Sequence, residues 1–268
     1  MNRILAERFA ILGHDLGPDR RFRLRNLCGY MEKAATLHAA DLGFSVEDLA
    51  DKGLAWALAK LWLEFDDWPE LGGEALDDEE AGWLTIKTWP VSAERLQYRR
   101  DFLITWRGRV MARAATAWVV LNLKSRRAES MPDFITALEA ENPEPVMEAA
   151  RPRLPSQENA PELASFAVRE SDIDRNNHVN NACFAEWLAE SAPEAIRSLR
   201  RLRSLEVFYR AEGRYGDTVV GRGGADAEEG VFLHGLFRLS DGRELVRGRS
   251  VWACFKGGAH SSPGHINF

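Results

Sequence analysis

Two distant stretches of this chain carry one pattern, Gly-Arg-x-x-x-Arg-x-x-[Ser/Thr]-x-Trp. The first is Gly108-Arg109 followed by Arg113, Thr116 and Trp118; the second is Gly242-Arg243 followed by Arg247, Ser250 and Trp252. Five positions in register, each set closing a stretch where a helical pattern gives way to strand patterns, point to an internal duplication. That restricts the fold to two copies of one unit. The expected architecture is α+β, with two antiparallel sheets, each wrapped around a long central helix.

The first copy opens with a strand expected over residues 9–16, closed by Gly17-Pro18-Asp19. From Leu24 to Gly43, apolar residues at Leu27, Tyr30, Met31, Ala34, Leu37 and Leu42 recur at helical steps, with Asn26 as N-cap and Gly43 as stop. Aromatic and β-branched stretches at 54–65, 82–89, 101–106 and 109–123 predict strands. The acidic run Asp77-Asp78-Glu79-Glu80 reads as a solvated loop. Six prolines between 128 and 163 mark a linker with a short helix near 134–141. The second copy repeats the order: a strand at 165–169, a helix from Ala182 to about Leu199, and strands at 205–210, 218–222, 231–239 and 245–255. The division is thus 1–127, a linker 128–163, a second domain 164–257 and a flexible tail 258–268.

The two copies are not chemically equal. Ser171-Asp172-Ile173-Asp174-Arg175-Asn176-Asn177-His178-Val179-Asn180-Asn181 is dense in groups that donate, accept and transfer protons, and it runs straight into the apolar segment beginning at Ala182. A turn with an N-cap, Asn180 or Asn181, accounts for one or two of these residues. It leaves Asp174, Asn176 and His178 unexplained. Read as an extended segment, their period of two puts carboxylate, amide and imidazole on one face. The corresponding stretch of the first copy, read as Arg20 to Asn26, has no Asp or His, so one active site per chain is expected.

Composition narrows the partners. Of 268 residues 45% are hydrophobic, and the formal charge is -6, which speaks against general nucleic-acid binding. No apolar run approaches the roughly 20 residues of a membrane span, and Met1 to Arg8 lacks the apolar core of a signal peptide. Cys28, Cys183 and Cys254 are scattered, and the histidines show no metal-ligand spacing. A cytoplasmic protein without metal or cofactor is expected.

The motif Asp-x-Asp-x-Asn-x-His-Val-Asn-Asn before an apolar helix resembles that of the acyl-ACP thioesterase family, whose fold is a tandem, or double, hot-dog. The likeness runs through Glu32, Ala35 and His38, Leu54-Ala55-Trp56, Leu84 to Trp89, Arg100-Asp101-Phe102, Arg113 to Val119, Asn122, Arg126-Arg127, Glu186-Trp187, Glu190-Ser191 and Tyr209-Arg210-Ala211-Glu212. It implies a hydrolase that splits acyl-ACP into free fatty acid and holo-ACP, with acyl carrier protein as partner and the fatty acyl chain held by the first half. The family's functional residues fall on Asp174, Asn176, His178 and Glu212. Many plant members carry a Cys directly after that Glu; here Gly213 excludes a thiol mechanism at that place.

Thioester hydrolysis needs an activated oxygen nucleophile and donors for the developing oxyanion. Asp174 or Glu212 can act as base toward water or attack directly, with Asp174 favoured as the primary group. Asn176 can orient water or donate to the thioester oxygen. His178 can transfer protons, and N–H groups of the following helix can add oxyanion donors. The run Arg197, Arg200, Arg201 and Arg203 reads either as a solvated helix end or as a docking patch for the acidic carrier protein. An acyl-CoA thioesterase with the same residues and a non-catalytic acyl-binding module are the alternatives. Exposed sheet edges leave a homodimer possible.

Overall fold

A computed structural model describes residues 4–68, 82–94, 96–131, 144–148 and 153–254. The acidic run at 77–80, the helix expected near 134–141 and the tail from 258 lie outside these residues. In chain order the elements are β1 (Leu5–Ala10), α1 (Leu24–Asp41), α2 (Val46–Ala50), β2 (Leu54–Phe65), β3 (Trp83–Glu94), β4 (Gln97–Trp106), β5 (Arg109–Asn122) and β6 (Ala128–Glu129). There follow β7 (Glu162–Ala167), α3 (Asn181–Glu190), α4 (Glu194–Leu199), β8 (Arg200–Tyr209), β9 (Thr218–Ala225), β10 (Val231–Arg238) and β11 (Glu244–Cys254).

The duplicated pattern is a duplicated structure. In the first half the strands lie in the order β1-β3-β4-β5-β2, and in the second β7-β9-β10-β11-β8, the same order. At the Gly, Ser/Thr and Trp positions the repeated residues play the same local part, while the arginines differ, Arg113 pairing with Asp66 and Arg247 with Glu244. Gly108 and Gly242 sit at φ 70° and 68° in the turns before β5 and β11, a region where a Cβ is strained. Farther along, the Trp118 indole donates to Thr116 Oγ1 at 2.9 Å and the Trp252 indole to Ser250 Oγ at 2.8 Å.

The two halves do not form two sheets. β2 pairs antiparallel with β8, from Lys60 opposite Phe208 to Glu64 opposite Ser204, so all eleven strands make one sheet. The expectation of two separate sheets is corrected: each half leaves its second strand at an edge, and the two edges satisfy each other's backbone groups. α1 and α3 pack against each other. One apolar core, including Leu27, Met31, Phe102, Phe184, Leu188 and Leu205, spans both halves.

Described residues of the segment joining the halves touch the opposite face of the sheet. Met147 packs on Trp62, Ala115 and Ala117. Arg99 holds the fully buried Asp101 through two hydrogen bonds of 2.7 and 2.9 Å, and Val146 N donates to the same carboxylate at 2.8 Å. Farther on, Arg247 donates to Leu154 O at 2.6 Å. The stretch read as a linker is therefore anchored to both halves. It also holds β6, and β7 begins within its last residues.

Several boundaries differ from the sequence reading. The first strand is Leu5–Ala10, because residues 13–15 form a 3-10 turn in which Leu12 N donates to Asp15 Oδ2 at 2.8 Å. α1 starts after Arg23; Asn26 lies inside it and donates to Asp15 Oδ1 at 2.7 Å instead of capping. The long second helix is broken at Pro193, whose missing N–H ends α3 and restarts the chain as α4.

Candidate active site

The site loop hangs from a buried carboxylate. Asp172 is fully buried at the end of a 3-10 turn and accepts from Arg169 N at 3.0 Å, from the Arg169 guanidinium at 3.1 Å and from Arg25 Nη1 of α1 at 3.0 Å. Beyond it the chain doubles back. Ile173 bridges Val179, Asp174 N donates to His178 O at 2.8 Å, and Asn177 turns the corner at φ 60°. Asn180 then caps α3 by accepting from Ala182 N at 2.7 Å.

This loop is a tight hairpin and not an extended segment, so strand alternation does not set the directions of Asp174, Asn176 and His178. Direct bonds do. Asp174 Oδ1 accepts from Asn176 N at 2.8 Å and Oδ2 from Asn176 Nδ2 at 3.3 Å, making a carboxylate–amide pair. His178 Nε2 lies 3.0 Å from Glu212 Oε2, making an imidazole–carboxylate pair. Glu212 is delivered by the turn after β8, and Val179 N donates to Gly213 O at 2.9 Å, which ties that turn to the loop. A Cβ at Gly213 would lie 2.9 Å from Val179 Cγ2 and 3.1 Å from Phe184 Cζ, so a side chain there requires these two to shift.

Electrostatics follow from the neighbours. Burial pushes the Glu212 carboxyl up, but the hydrogen bond from Arg126 (2.7 Å to Oε1), His178 and the charge of Arg214 outweigh it and hold the group below the usual carboxylate range. Because Nε2 faces this carboxylate, neutral His178 carries its proton there, and Nδ1 is the nitrogen left to accept one. Glu32 of α1 keeps part of its surface in water. Partial desolvation and then the charge of Asp174 push its carboxyl up, against the pull of Arg175.

Glu32 also lines a cavity. Cys28 and Met31 of α1, Leu58 and Leu61 of β2, Phe102 and Trp118 form its first-half walls. Asn181 and Ala182 at the start of α3, with Tyr209, close the side next to the loop. Two helix-start N–H groups expected as oxyanion donors are already engaged: Ala182 N with Asn180 Oδ1, and Cys183 N with Asn180 O at 2.9 Å. Among the described residues no group of three or more His, Cys, Asp or Glu is placed to hold a metal ion, and no helix is long and apolar enough to cross a membrane.

Comparison with known proteins gives this geometry a family. The sequence model of the acyl-ACP thioesterase N-terminal domain matches residues 3–138, and that of the C-terminal domain matches residues 156–254. The chain belongs to the acyl-ACP thioesterase family. It is 28% identical, over 93% of its length, to the acyl-[acyl-carrier-protein] hydrolase FATB2 of Cuphea viscosissima, and 26% identical, over 92%, to the oleoyl-acyl carrier protein thioesterase 1 of Arabidopsis thaliana. It spans 62% of the first relative and 75% of the second. Among solved structures, an acyl-ACP thioesterase from Bacteroides thetaiotaomicron superposes with a TM-score of 0.79 at 22% identity, covering 94% of this chain and 98% of that one. The 12:0-ACP thioesterase from Umbellularia californica gives 0.79 at 20%, covering 95% and 99%. At these identities the structures speak for the fold.

In this acyl-ACP thioesterase family chain the first half keeps the loop and lacks the Asp-Asn-His set. Leu16 bridges Phe22, Gly17 N donates to Arg21 O at 2.8 Å, and Arg20 takes the positive φ of 58° that Asn177 takes in the second half. Gly17, Asp19 and Arg21 thus stand where Asp174, Asn176 and His178 stand. This corrects the register read from sequence, which began at Arg20: the matching stretch includes Asp15 and Asp19, with Asp15 in the place of Asp172.

The arginine run is placed differently from the expectation. Arg197 lies on α4, separate from α3, and donates to Ala192 O at 2.9 Å. Arg200 pairs with Glu229 at 2.6 Å, Arg203 donates to Asp66 O at 2.8 Å, and Arg201 lies half-buried in β8. Arg200 and Tyr209 are opposite ends of β8, about 30 Å apart at ~3.3 Å per residue. Beside Glu212 the cations are instead Arg126 and Arg214, and Arg175 follows Asp174 in the loop. Sequence reasoning quoted Arg126 and Arg175 without giving any of the three a role, because Arg126 and Arg214 reach Glu212 on turns from separate parts of the chain.

Proposed function

We propose that this chain is a hydrolase of acyl-ACP thioesters, releasing free fatty acid and holo-ACP. The observation that carries the reading is the Asp174–Asn176 pair and the His178–Glu212 pair standing together where the loop meets the turn after β8, beside a cavity walled largely by apolar side chains of the first half. In the proposed reaction the acyl chain lies in that cavity with its carbonyl at the loop. Asp174 takes a proton from water as the water oxygen bonds to the acyl carbon, and Asn176 holds that water or the carbonyl oxygen. The C–S bond breaks, and the thiolate leaves with a proton relayed through His178, whose imidazolium Glu212 stabilises. No cofactor enters any step.

On this reading the chain is a double hot-dog of two domains, 1–127 and 164–257, fused through β2 and β8; the repeated strand order supports it. Its three cysteines are free, which suits a reducing, cytoplasmic setting. A homodimer through the edge strands β1 and β7 is part of the same proposal and is checked by sedimentation. A docking role for the run from Arg197 to Arg203 is tested by charge reversal at Arg200 and Arg201: selective loss on acyl-ACP against a short thioester supports it, equal loss removes it.

The deciding experiment is steady-state hydrolysis of an acyl-ACP series beside matched acyl-CoAs, with Asp174→Asn and His178→Ala. Preference for ACP with at least ~100-fold loss in both variants supports the proposal. Preference for CoA moves the protein to acyl-CoA hydrolysis with the same residues. Binding of acyl ligands without turnover makes it a binding module.

A further inference from the structure

We infer that Arg126, which belongs to the first half of the chain, is a positioning residue for the active site of the second half: it holds one oxygen of Glu212 so that the other stays on His178. The inference rests on the hydrolase reading above and extends it to the half that lacks the catalytic set.

The contact is built from both sides. Arg126 Nη2 donates to Glu212 Oε1 at 2.7 Å while His178 Nε2 sits 3.0 Å from Oε2, so the carboxylate is divided between the two, one oxygen each. Arg214 approaches Oε2 only to 4.0 Å and adds charge without a hydrogen bond. A carboxylate gripped at both oxygens has one orientation, and that orientation fixes which imidazole nitrogen carries the proton.

The turn that presents Arg126 is closed by its own hydrogen bonds. Asn122 Oδ1 accepts from Lys124 N at 2.9 Å and Ser125 N at 2.8 Å; Arg126 N donates to Asn122 O at 2.8 Å, and Asn122 N to Arg127 O at 2.9 Å. Within it Arg126 adopts φ 59°, a conformation that residues with a Cβ take at a cost and keep where the surroundings impose it. A solvated surface pair needs no such turn. With its side chain 62% exposed, Arg126 adds little to stability. Its contact with Glu212 is therefore read as orientation and charge at the site. The charges facing Glu212 are Arg126, Arg214 and His178, and together they favour its ionised form.

The test uses the full-length chain with Arg126→Ala and Arg126→Lys. kcat/KM is measured from about pH 3.5 to pH 9 on one acyl-ACP and on the matching acyl-N-acetylcysteamine thioester, which has no carrier protein to dock. Melting curves of both variants are recorded alongside. Arg126→Ala is expected to lose roughly tenfold to a hundredfold in kcat/KM on both substrates. Its acid limb should move to higher pH, since removing the cation raises the pKa of Glu212. Arg126→Lys keeps the charge without the planar fork, so it should restore the acid limb and recover part of the rate. Loss confined to acyl-ACP with an unmoved acid limb would make Arg126 a docking cation and overturn the inference, as would unchanged kinetics on both substrates. If the Ala variant melts early, the Lys variant carries the same comparison. A wild-type chain that turns over neither thioester removes the hydrolase reading itself, an outcome distinct from an active wild type indifferent to Arg126.

Discussion

Acidification should destabilise this protein partly through one side chain, and His234→Gln should remove that part. His234 on β10 is fully buried between two serines, with Nδ1 3.2 Å from Ser191 Oγ and Nε2 2.7 Å from Ser250 Oγ. The Ser191 hydroxyl donates to Leu188 O at 2.8 Å, so its oxygen accepts from Nδ1–H. Ser250 Oγ already accepts the Trp252 indole N–H at 2.8 Å and donates its own hydrogen to Nε2. The imidazole is therefore neutral, and a second proton on Nε2 would face a hydroxyl hydrogen. Burial pulls the group down from 6.5 to about 4. The folded value lies below the unfolded one, so the contribution is fully present above about pH 6.5 and drains as pH falls toward about 4. At ~1.4 kcal/mol per unit this amounts to about 2 kcal/mol by pH 5 and about 3 kcal/mol in all. Urea unfolding followed by tryptophan fluorescence at a series of pH values gives the curve. The Gln variant starts lower near pH 8 because its amide replaces the imidazole imperfectly, and it should then fall less steeply. Two curves that stay parallel from about pH 8 to pH 4.5 would refute the reasoning.

Three further outcomes follow from the same geometry. Gly213→Cys should lower the melting temperature and reduce thioesterase activity, because its side chain meets Val179 and Phe184; a faster enzyme with iodoacetamide-sensitive turnover would show the thiol fits and works. Asp172→Ala leaves the Arg25 and Arg169 guanidiniums without the buried carboxylate that organises the loop, and should cost about 2–3 kcal/mol, read as a fall in melting temperature of roughly 5–10 °C; a change under about 1 °C would contradict the role assigned to it. Leu58→Trp adds bulk to the cavity wall and should reduce kcat/KM for long acyl chains at least ~10-fold more than for short ones, whereas a uniform change across chain lengths would place the acyl chain elsewhere.

Much of the fold was legible because it rests on local signals. Strand β2 coincides with the stretch read as Leu54 to Phe65, and Gly43 ends its helix at φ 78° as a left-handed stop does. The duplicated Gly, Ser/Thr and Trp positions had readable reasons, a turn needing positive φ and a hydroxyl within reach of an indole. The break at Pro193 was written in the chain as well, but the apolar pattern on either side of it favoured one long helix. The N-cap of α1 was misplaced because Asn26 spends its amide on Asp15, a partner eleven residues back that no local rule names.

The sequence alone determined that the Asp174, Asn176 and His178 motif stands in the second half and is not repeated in the first. It also determined that each half repeats one unit. The tertiary structure decided how those groups meet. A hairpin, and not a strand, pairs Asp174 with Asn176, and the turn after β8 brings Glu212 to His178. A strained turn of the other half brings Arg126 to Glu212. The union of β2 with β8 made one sheet of two. The physical reason is the same in each case: hydrophobic period and turn preference act over a few residues and are visible in order, whereas the hydrogen bond between Arg126 and Glu212, or the pairing of Lys60 opposite Phe208, exists only once the chain has closed on itself.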